Sequence, residues 1–130
     1  MIRAALVGYG SIAEHGHLPA LLSFPQVQIV AVADISPARL ARARLQLPDA
    51  QLFDSPSQLI ESVEPDLLDI CSPPNTHAQL IEAACGRSIP TIVSEKPLVL
   101  TEHQYERVAS ARAAAGNRVI SVNNWMHSDL

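Results

Sequence analysis

Long apolar runs are missing from this chain. Although 48% of its 130 residues are hydrophobic, no stretch approaches the ~20 apolar residues of a membrane-spanning helix, so no membrane association is expected. The start, Met1-Ile2-Arg3-Ala4-Ala5-Leu6-Val7, passes straight into a strand pattern. It lacks the longer apolar region and cleavage site of a signal peptide, which reads as a cytoplasmic protein. Cysteine is scarce as well. Cys71 falls in an apolar strand and Cys85 on an apolar helix face, and two thiols 14 positions apart match no metal-ligand spacing, so both read as buried free thiols and no metal is expected. Positive charge is also short, with nine basic against thirteen acidic residues and a net charge of -4. Arg39, Arg42 and Arg44 cluster on one predicted helix, most simply as a solvated face, which leaves nucleic-acid binding with little support. Internal repeats, low-complexity tracts and linkers are absent too. What remains is the size and composition of one α/β domain able to bury a core.

Apolar strand-like runs alternate with helical segments along the whole chain. Strands are predicted near 2–7, 27–33, 51–53, 67–71, 90–94 and 118–123, and helices near 11–23, 37–46, 56–63, 76–86 and 101–115. Ser55-Pro56-Ser57-Gln58, Thr76-His77-Ala78-Gln79 and Thr101-Glu102-His103-Gln104 have capping-box spacing and mark three helix starts. The helix over 76–86 places Ala78, Ile81, Ala84 and Cys85 on one face, as a crossover helix on a sheet requires. Gly16 and Pro19 interrupt the first helical segment, predicting a short turn at 11–15 and a restart near His17. Strict alternation implies a doubly wound parallel sheet, six strands in the order 3-2-1-4-5-6, with a site where the order reverses.

The chemistry begins at the first strand end. Gly8-Tyr9-Gly10-Ser11-Ile12-Ala13 follows Ile2 to Val7 directly and opens a helix, so free backbone N–H groups and the helix dipole would face a pyrophosphate there. Gly8 permits the turn, Gly10 lets phosphates approach the backbone, and Ala13 replaces the third glycine at the helix–strand contact. Alone, two glycines near a strand end can be nothing more than a turn. Asp34 strengthens the dinucleotide reading, because it ends the apolar run Ile29-Val30-Ala31-Val32-Ala33 24 positions after Gly10, near the offset at which an acidic residue meets the ribose hydroxyls. A helix cap or loop carboxylate is the plain alternative for Asp34, yet Ser36-Pro37 already supplies a cap and a first-turn proline. A carboxylate there favours NAD over NADP, while Ser36 and Arg39 lie close enough in sequence to offer a 2'-phosphate another partner.

Two further segments fall beyond strand ends, where such a fold places its chemistry: Ser72-Pro73-Pro74-Asn75-Thr76-His77 and Glu95-Lys96-Pro97. A loop lysine is commonly just solvated. Lys96 stands apart because it follows a buried strand, sits beside a carboxylate and precedes a proline that restricts its backbone.

Taken together, the Gly8 to Ala13 turn, His17-Leu18-Pro19-Ala20-Leu21, Asp34, Pro74-Asn75-Thr76-His77 and Glu95-Lys96-Pro97 resemble the glucose-fructose oxidoreductase, inositol dehydrogenase and rhizopine catabolism family, Gfo/Idh/MocA. The resemblance runs nearly end to end, and the Glu-Lys-Pro triplet is its most specific part. It implies a Rossmann domain and nicotinamide-dependent oxidoreductase chemistry on sugars, cyclitols and related hydroxyl compounds. It also implies roles: Lys96 beside the nicotinamide and the reacting carbon, Glu95 bordering the cofactor, and Ser72, Pro73, Pro74, Asn75 and His77 lining it. Segments near Asn123 and Trp125 would begin the approach to the nicotinamide, and a cis Lys96-Pro97 peptide is expected.

Family enzymes carry a second α/β domain that supplies the aspartate and histidine of a proton relay. The resemblance therefore divides the chain into a Rossmann domain at 1–124 and, at 125–130, the start of a substrate domain absent from this chain. Turnover would need that domain, since hydride transfer requires substrate held at reacting distance. Apolar groups near Trp125 and Met126 would then be exposed and favour self-association, making a homo-oligomer an expected partner state. Two other readings stay open: a stand-alone module that binds or senses the dinucleotide without catalysis, and a structural Rossmann partner domain with a vacant glycine turn.

Overall fold

Six short apolar runs become the strands β1 (Ile2–Val7), β2 (Val27–Ala33), β3 (Gln51–Phe53), β4 (Leu67–Ile70), β5 (Thr91–Ser94) and β6 (Arg118–Ser121). They pair in the order β3-β2-β1-β4-β5-β6, every neighbour parallel, the doubly wound topology that strand–helix alternation predicts. The computed structural model describes residues 1–122. The expectations placed on Asn123, Trp125 and Met126, and the end of the predicted strand at 123, lie outside the described residues. Cys71 falls just beyond β4 instead of within it, and β5 starts at Thr91 because Pro90 has no N–H for a ladder.

Helices cover both faces, which is why the central strands show no polar alternation. Ala4, Ala5, Leu6 and Val7 of β1 are all fully buried. Ala5 and Val7 join Ala31, Ala33, Leu68, Ile70 and Ile92 in one core, under α3 (Pro56–Ser62), α4 (His77–Gly86) and α5 (Glu102–Ala115). Ala4 and Leu6 join Tyr9, Leu18, Ile29 and Val32 in the other, under α1 (Leu18–Leu22) and α2 (Pro37–Gln46). Ile29 and Val32 share a face despite odd spacing because the register of β1 on β2 skips Val30: Ala4 faces Ile29 and Ala5 faces Ala31. One extra residue in a strand reverses its in–out parity. The thiols of Cys71 and Cys85 are free and buried, and no described helix is long and apolar enough to cross a membrane.

The helix starts follow their sequence signals with one exception. Ser36, Ser55 and Thr101 accept hydrogen bonds from the backbone N–H of Arg39, Gln58 and Gln104, and the Gln104 side chain reaches back to Leu100 N–H. Thr76 does not cap α4. Its hydroxyl donates to Pro73 O at 2.7 Å, and Ser72 Oγ donates to it at 2.7 Å. The loop has taken that oxygen, so the chain enters α4 through a 3₁₀ turn at Pro74–Thr76.

A second departure concerns Gly16 and Pro19. The helical segment does not stop near 15 and restart. It continues through a π turn at Ala13–His17 straight into α1, with Leu18 N–H bonded to Ala13 O, five residues back. Proline lacks an N–H and crowds the carbonyl four residues earlier, and widening the preceding turn accommodates it without a break.

Candidate functional site

A row of hydrogen bonds just past the strands sets the site's geometry. Gly8 N–H donates to Ala33 O, Asp34 N–H to Phe53 O, Cys71 N–H to Val7 O, Glu95 N–H to Ile70 O and Val122 N–H to Ser94 O, at 2.7 to 3.1 Å. Asp34, Gly8, Cys71 and Glu95 therefore stand side by side at the carboxyl edge of the sheet, about 4.8 Å apart per strand. β1 lies between β2 and β4, so this edge spans the point where strand order reverses.

Gly8 is required twice over. Its φ is +87°, and a Cβ there would lie 2.7 Å from Ser72 N. Gly10 is different: a Cβ would meet only the Arg39 guanidinium, at 3.8 Å, an ordinary contact. Among the described residues nothing demands glycine at 10, so the space in front of it is available to a ligand. The first helical bond beyond the turn runs from Glu14 N–H to Gly10 O, which leaves the amides of Ser11, Ile12 and Ala13 ahead of the ladder. Ala13 is fully buried at the helix–sheet contact, the place of the third small residue.

Asp34 is only 3% exposed. Its Oδ2 accepts from Tyr9 N–H at 2.7 Å and its Oδ1 from Ser36 N–H at 2.8 Å, so the carboxylate ties the glycine turn to the start of α2. Each oxygen keeps acceptor capacity after one bond. Arg39 Nη1 stands 3.6 Å from Oδ2. The three arginines of α2 are thus more than a solvated face: Arg42 pairs with Glu14 at 3.0 Å, and Arg44 donates to Pro48 O and Ala50 O.

Gly8, Gly10, Asp34, Arg39, Ser72 and Pro73 line one cavity of about 470 Å³, shared with the first turn of α3 and with Gln79 and Leu80 of α4. Tyr9 does not line it; the ring is fully buried in the core beneath and its hydroxyl donates to Gln46 Oε1 at 2.6 Å. Ser11 and Ile12 are exposed at the start of the helical segment, and Ile12 borders a second cavity, of about 390 Å³, together with His17, Asp69 and Glu95. Pro74 and Asn75 are exposed on the 3₁₀ turn. His77 is fully buried, with Nε2 facing Ser72 O at 2.7 Å and Nδ1 facing Pro97 O at 2.8 Å. It staples the loop after β4 to the turn after β5. Lys96 is exposed on that turn, one residue past the strand-end row, and its peptide bond to Pro97 is cis.

Sequence reasoning missed one constellation. His17 Nδ1 lies 2.8 Å from Asp69 Oδ2, and its Nε2 lies 2.7 Å from Glu95 Oε1. The Asp69 hydrogen bond above all raises the imidazole to about 9, against the opposing effect of burial, and Glu95 adds to the rise. Burial, with Asp69 and Glu95 nearby, pushes the Cys71 thiol far up and keeps it protonated. The available signal was Asp69 itself, a carboxylate inside the buried strand Leu67–Ile70, where a charge needs a partner.

The oxidoreductase family described by its NAD-binding Rossmann fold, Gfo/Idh/MocA, matches residues 2–123. Inositol 2-dehydrogenase of Paracoccus denitrificans is 30% identical over 122 residues, which cover 93% of this chain and 36% of that enzyme. D-glucoside 3-dehydrogenase of Escherichia coli is 26% identical over 122 residues, covering 88% of this chain and 32% of that enzyme. Among solved structures, the WlbA dehydrogenase from Bordetella pertussis, in complex with NADH and UDP-GlcNAcA, matches with a TM-score of 0.86 at 27% identity, over 93% of this chain and 36% of that one. This chain spans about a third of the length of these relatives. With the glycine turn, the strand order and the match over 2–123 all in agreement, the chain belongs to the Gfo/Idh/MocA oxidoreductases and forms their NAD-binding Rossmann fold.

Proposed function

We propose that the cavity at the strand-order reversal holds NAD(H), with Asp34 receiving the adenosine ribose hydroxyls and the Gly8 to Ala13 turn receiving the pyrophosphate. Ser72 and Pro73 border the path toward the nicotinamide, and Glu95 and Lys96 stand at its far end. The observation that carries this reading is the convergence on one cavity of Gly10, which no contact among the described residues requires, and a buried Asp34 with acceptor capacity to spare. That pairing of an open glycine with a sheltered carboxylate fits a dinucleotide's phosphates and ribose. Asp34 would repel a 2'-phosphate, so NAD(H) is preferred over NADP(H), and Arg39 beside it narrows the margin.

In the whole protein, residues 1–124 serve as the cofactor domain and sequence outside them supplies the substrate contacts, a division supported by relatives about three times as long. Relatives named for inositol and D-glucoside support a secondary alcohol of a sugar, cyclitol or related polyol as substrate. When bound, the nicotinamide supplies the hydride acceptor or donor. Lys96 donates a hydrogen bond from Nζ to the alcohol oxygen and helps move its proton. His77 and Glu95 hold the turn that presents Lys96, through Pro97 O and the Lys96 N–H respectively.

Titrating NADH into the 130-residue chain, with its fluorescence followed, tests the proposal. Saturable binding that exceeds NADPH binding is expected. No binding up to millimolar NADH would overturn it.

A further inference from the structure

His17, Asp69 and Glu95 come from three separate elements: the π turn, β4 and the turn after β5. They are 52 and 78 positions apart in sequence, yet the ring of His17 sits between the two carboxylates with each nitrogen on an oxygen at 2.7 to 2.8 Å. Asp69 is 2% and Glu95 8% exposed. Two carboxylates so buried and so near one another are costly unless a cation stands between them. The donor types His17, Asp69 and Cys71, within 4.8 Å of one another, also suit zinc. Both imidazole nitrogens face carboxylate oxygens, however, which makes them proton donors here and leaves neither lone pair for a metal.

Glu95 is the link to the chemistry. One of its oxygens receives His17, and the other, Oε2, accepts from the backbone N–H of Lys96 at 3.1 Å. Its own N–H is anchored on Ile70 O, so the carboxylate has a fixed base and two fixed contacts. On the other side of Lys96, Pro97 O is held by His77. Among the described residues, the titratable groups facing the His17 ring are Asp69 and Cys71 from the β4 side and Glu95 from the β5 side. On its own helical segment, Glu14 pairs with Arg42 and His15 turns to Ser11 O.

We propose that His17 is a positioning residue for Lys96, acting through Glu95: the charged ring holds the Glu95 carboxylate where it receives the Lys96 N–H, and removing that charge releases the turn. The inference rests on the reading of Lys96 as the lysine beside the nicotinamide. It adds a component outside the cofactor cavity, in which the segment that follows the phosphate-binding turn also sets the direction of the reacting end.

Carbon-detected NMR of the labelled 130-residue chain tests this without cofactor. The His17 ring carbons and the Lys96 Cα and carbonyl carbons are followed from about pH 6 to about pH 10, spanning the ordinary and the raised histidine range. His17 should titrate with a midpoint of about 9, and the Lys96 carbons should move with the same midpoint. In Glu95→Gln the His17 midpoint should fall by about one unit or more and the Lys96 carbons should stop following it. Lys96 carbons unmoved through the His17 titration, or a His17 midpoint near the ordinary ~6.5, would overturn the proposal. His17→Gln should leave the NADH dissociation constant within about twofold, whereas a loss of about tenfold would place His17 in the cofactor site and overturn it as well. Because the carbon titration requires no NADH, its failure is distinct from failure of NADH to bind.

Discussion

Gly8 and Ser72 approach so closely that a Cβ on Gly8 would stand 2.7 Å from the Ser72 backbone nitrogen. The two residues follow adjacent strands, β1 and β4, at the point where the sheet reverses its order. One backbone thus forms the floor against which the other turns, and both line the same cavity. The turn that receives a phosphate and the loop that leads away from it are a single packed unit.

Gly8→Ala should destabilise the chain by roughly 2–5 kcal/mol, combining left-handed backbone strain with overpacking against Ser72. Gly10→Ala should fold with stability close to that of the parent, since its Cβ meets only the flexible Arg39 side chain, yet it should bind NADH much more weakly. Urea denaturation and NADH titration of the two variants separate the roles. Equal stability losses in both would refute the distinction.

Asp34→Ala should weaken NADH more than NADPH and narrow the preference between them. It should also cost about 1–3 kcal/mol of stability, because the buried Tyr9 N–H loses its acceptor. Arg39→Ala should act in the opposite direction on the preference, widening it by removing the cation next to Asp34. Paired titrations with the two reduced cofactors measure both effects.

Stability should fall on the alkaline side because of His17. Its folded value is raised to about 9 from the usual 6.5, so the stabilisation is fully present below the unfolded value and disappears as pH rises through the folded one. The window is therefore about pH 6.5 to 9, and the loss roughly 2–3 kcal/mol for a group that is mostly but not wholly shielded from water. Denaturation midpoints at acid-neutral and alkaline pH measure it, and His17→Gln should flatten the dependence in that window.

Lys96→Ala should change NADH affinity of this chain little, because the glycine turn lies about two strand spacings, roughly 10 Å, from the Lys96 turn and Asp34 about three, roughly 14 Å. In a protein of the relatives' length that turns over a polyol, the same change should lower kcat about a hundred- to ten-thousand-fold, the usual worth of acid–base assistance. A turnover indifferent to Lys96 would leave only cofactor binding to this segment.

Local order was legible in the residues themselves. Ser36, Ser55 and Thr101 cap helices because a side-chain oxygen and an amide three residues on meet whatever the rest of the chain does. Runs such as Ala4 to Val7 and Ile29 to Ala33 declare strands buried on two faces, and their alternation with helices admits few topologies. Gly8 and Asp34 likewise announced themselves by position, one at a strand end and the other at the matching offset.

Tertiary structure decided what those local rules cannot reach. Thr76 has the same cap spacing as Thr101, but packing of the loop against Ser72 and Pro73 claims its hydroxyl. Pro19 does not break its helix, since a π turn beneath it removes the clash that proline would otherwise impose. Above all, the grouping of His17, Asp69 and Glu95 depends on the register of β4 on β5 and on where the first helical segment crosses the sheet. Contacts between residues 52 and 78 positions apart leave no periodic trace along the chain, because each partner's local pattern is satisfied without the others. Only when the strands lie side by side does the cost of two buried carboxylates require the histidine between them.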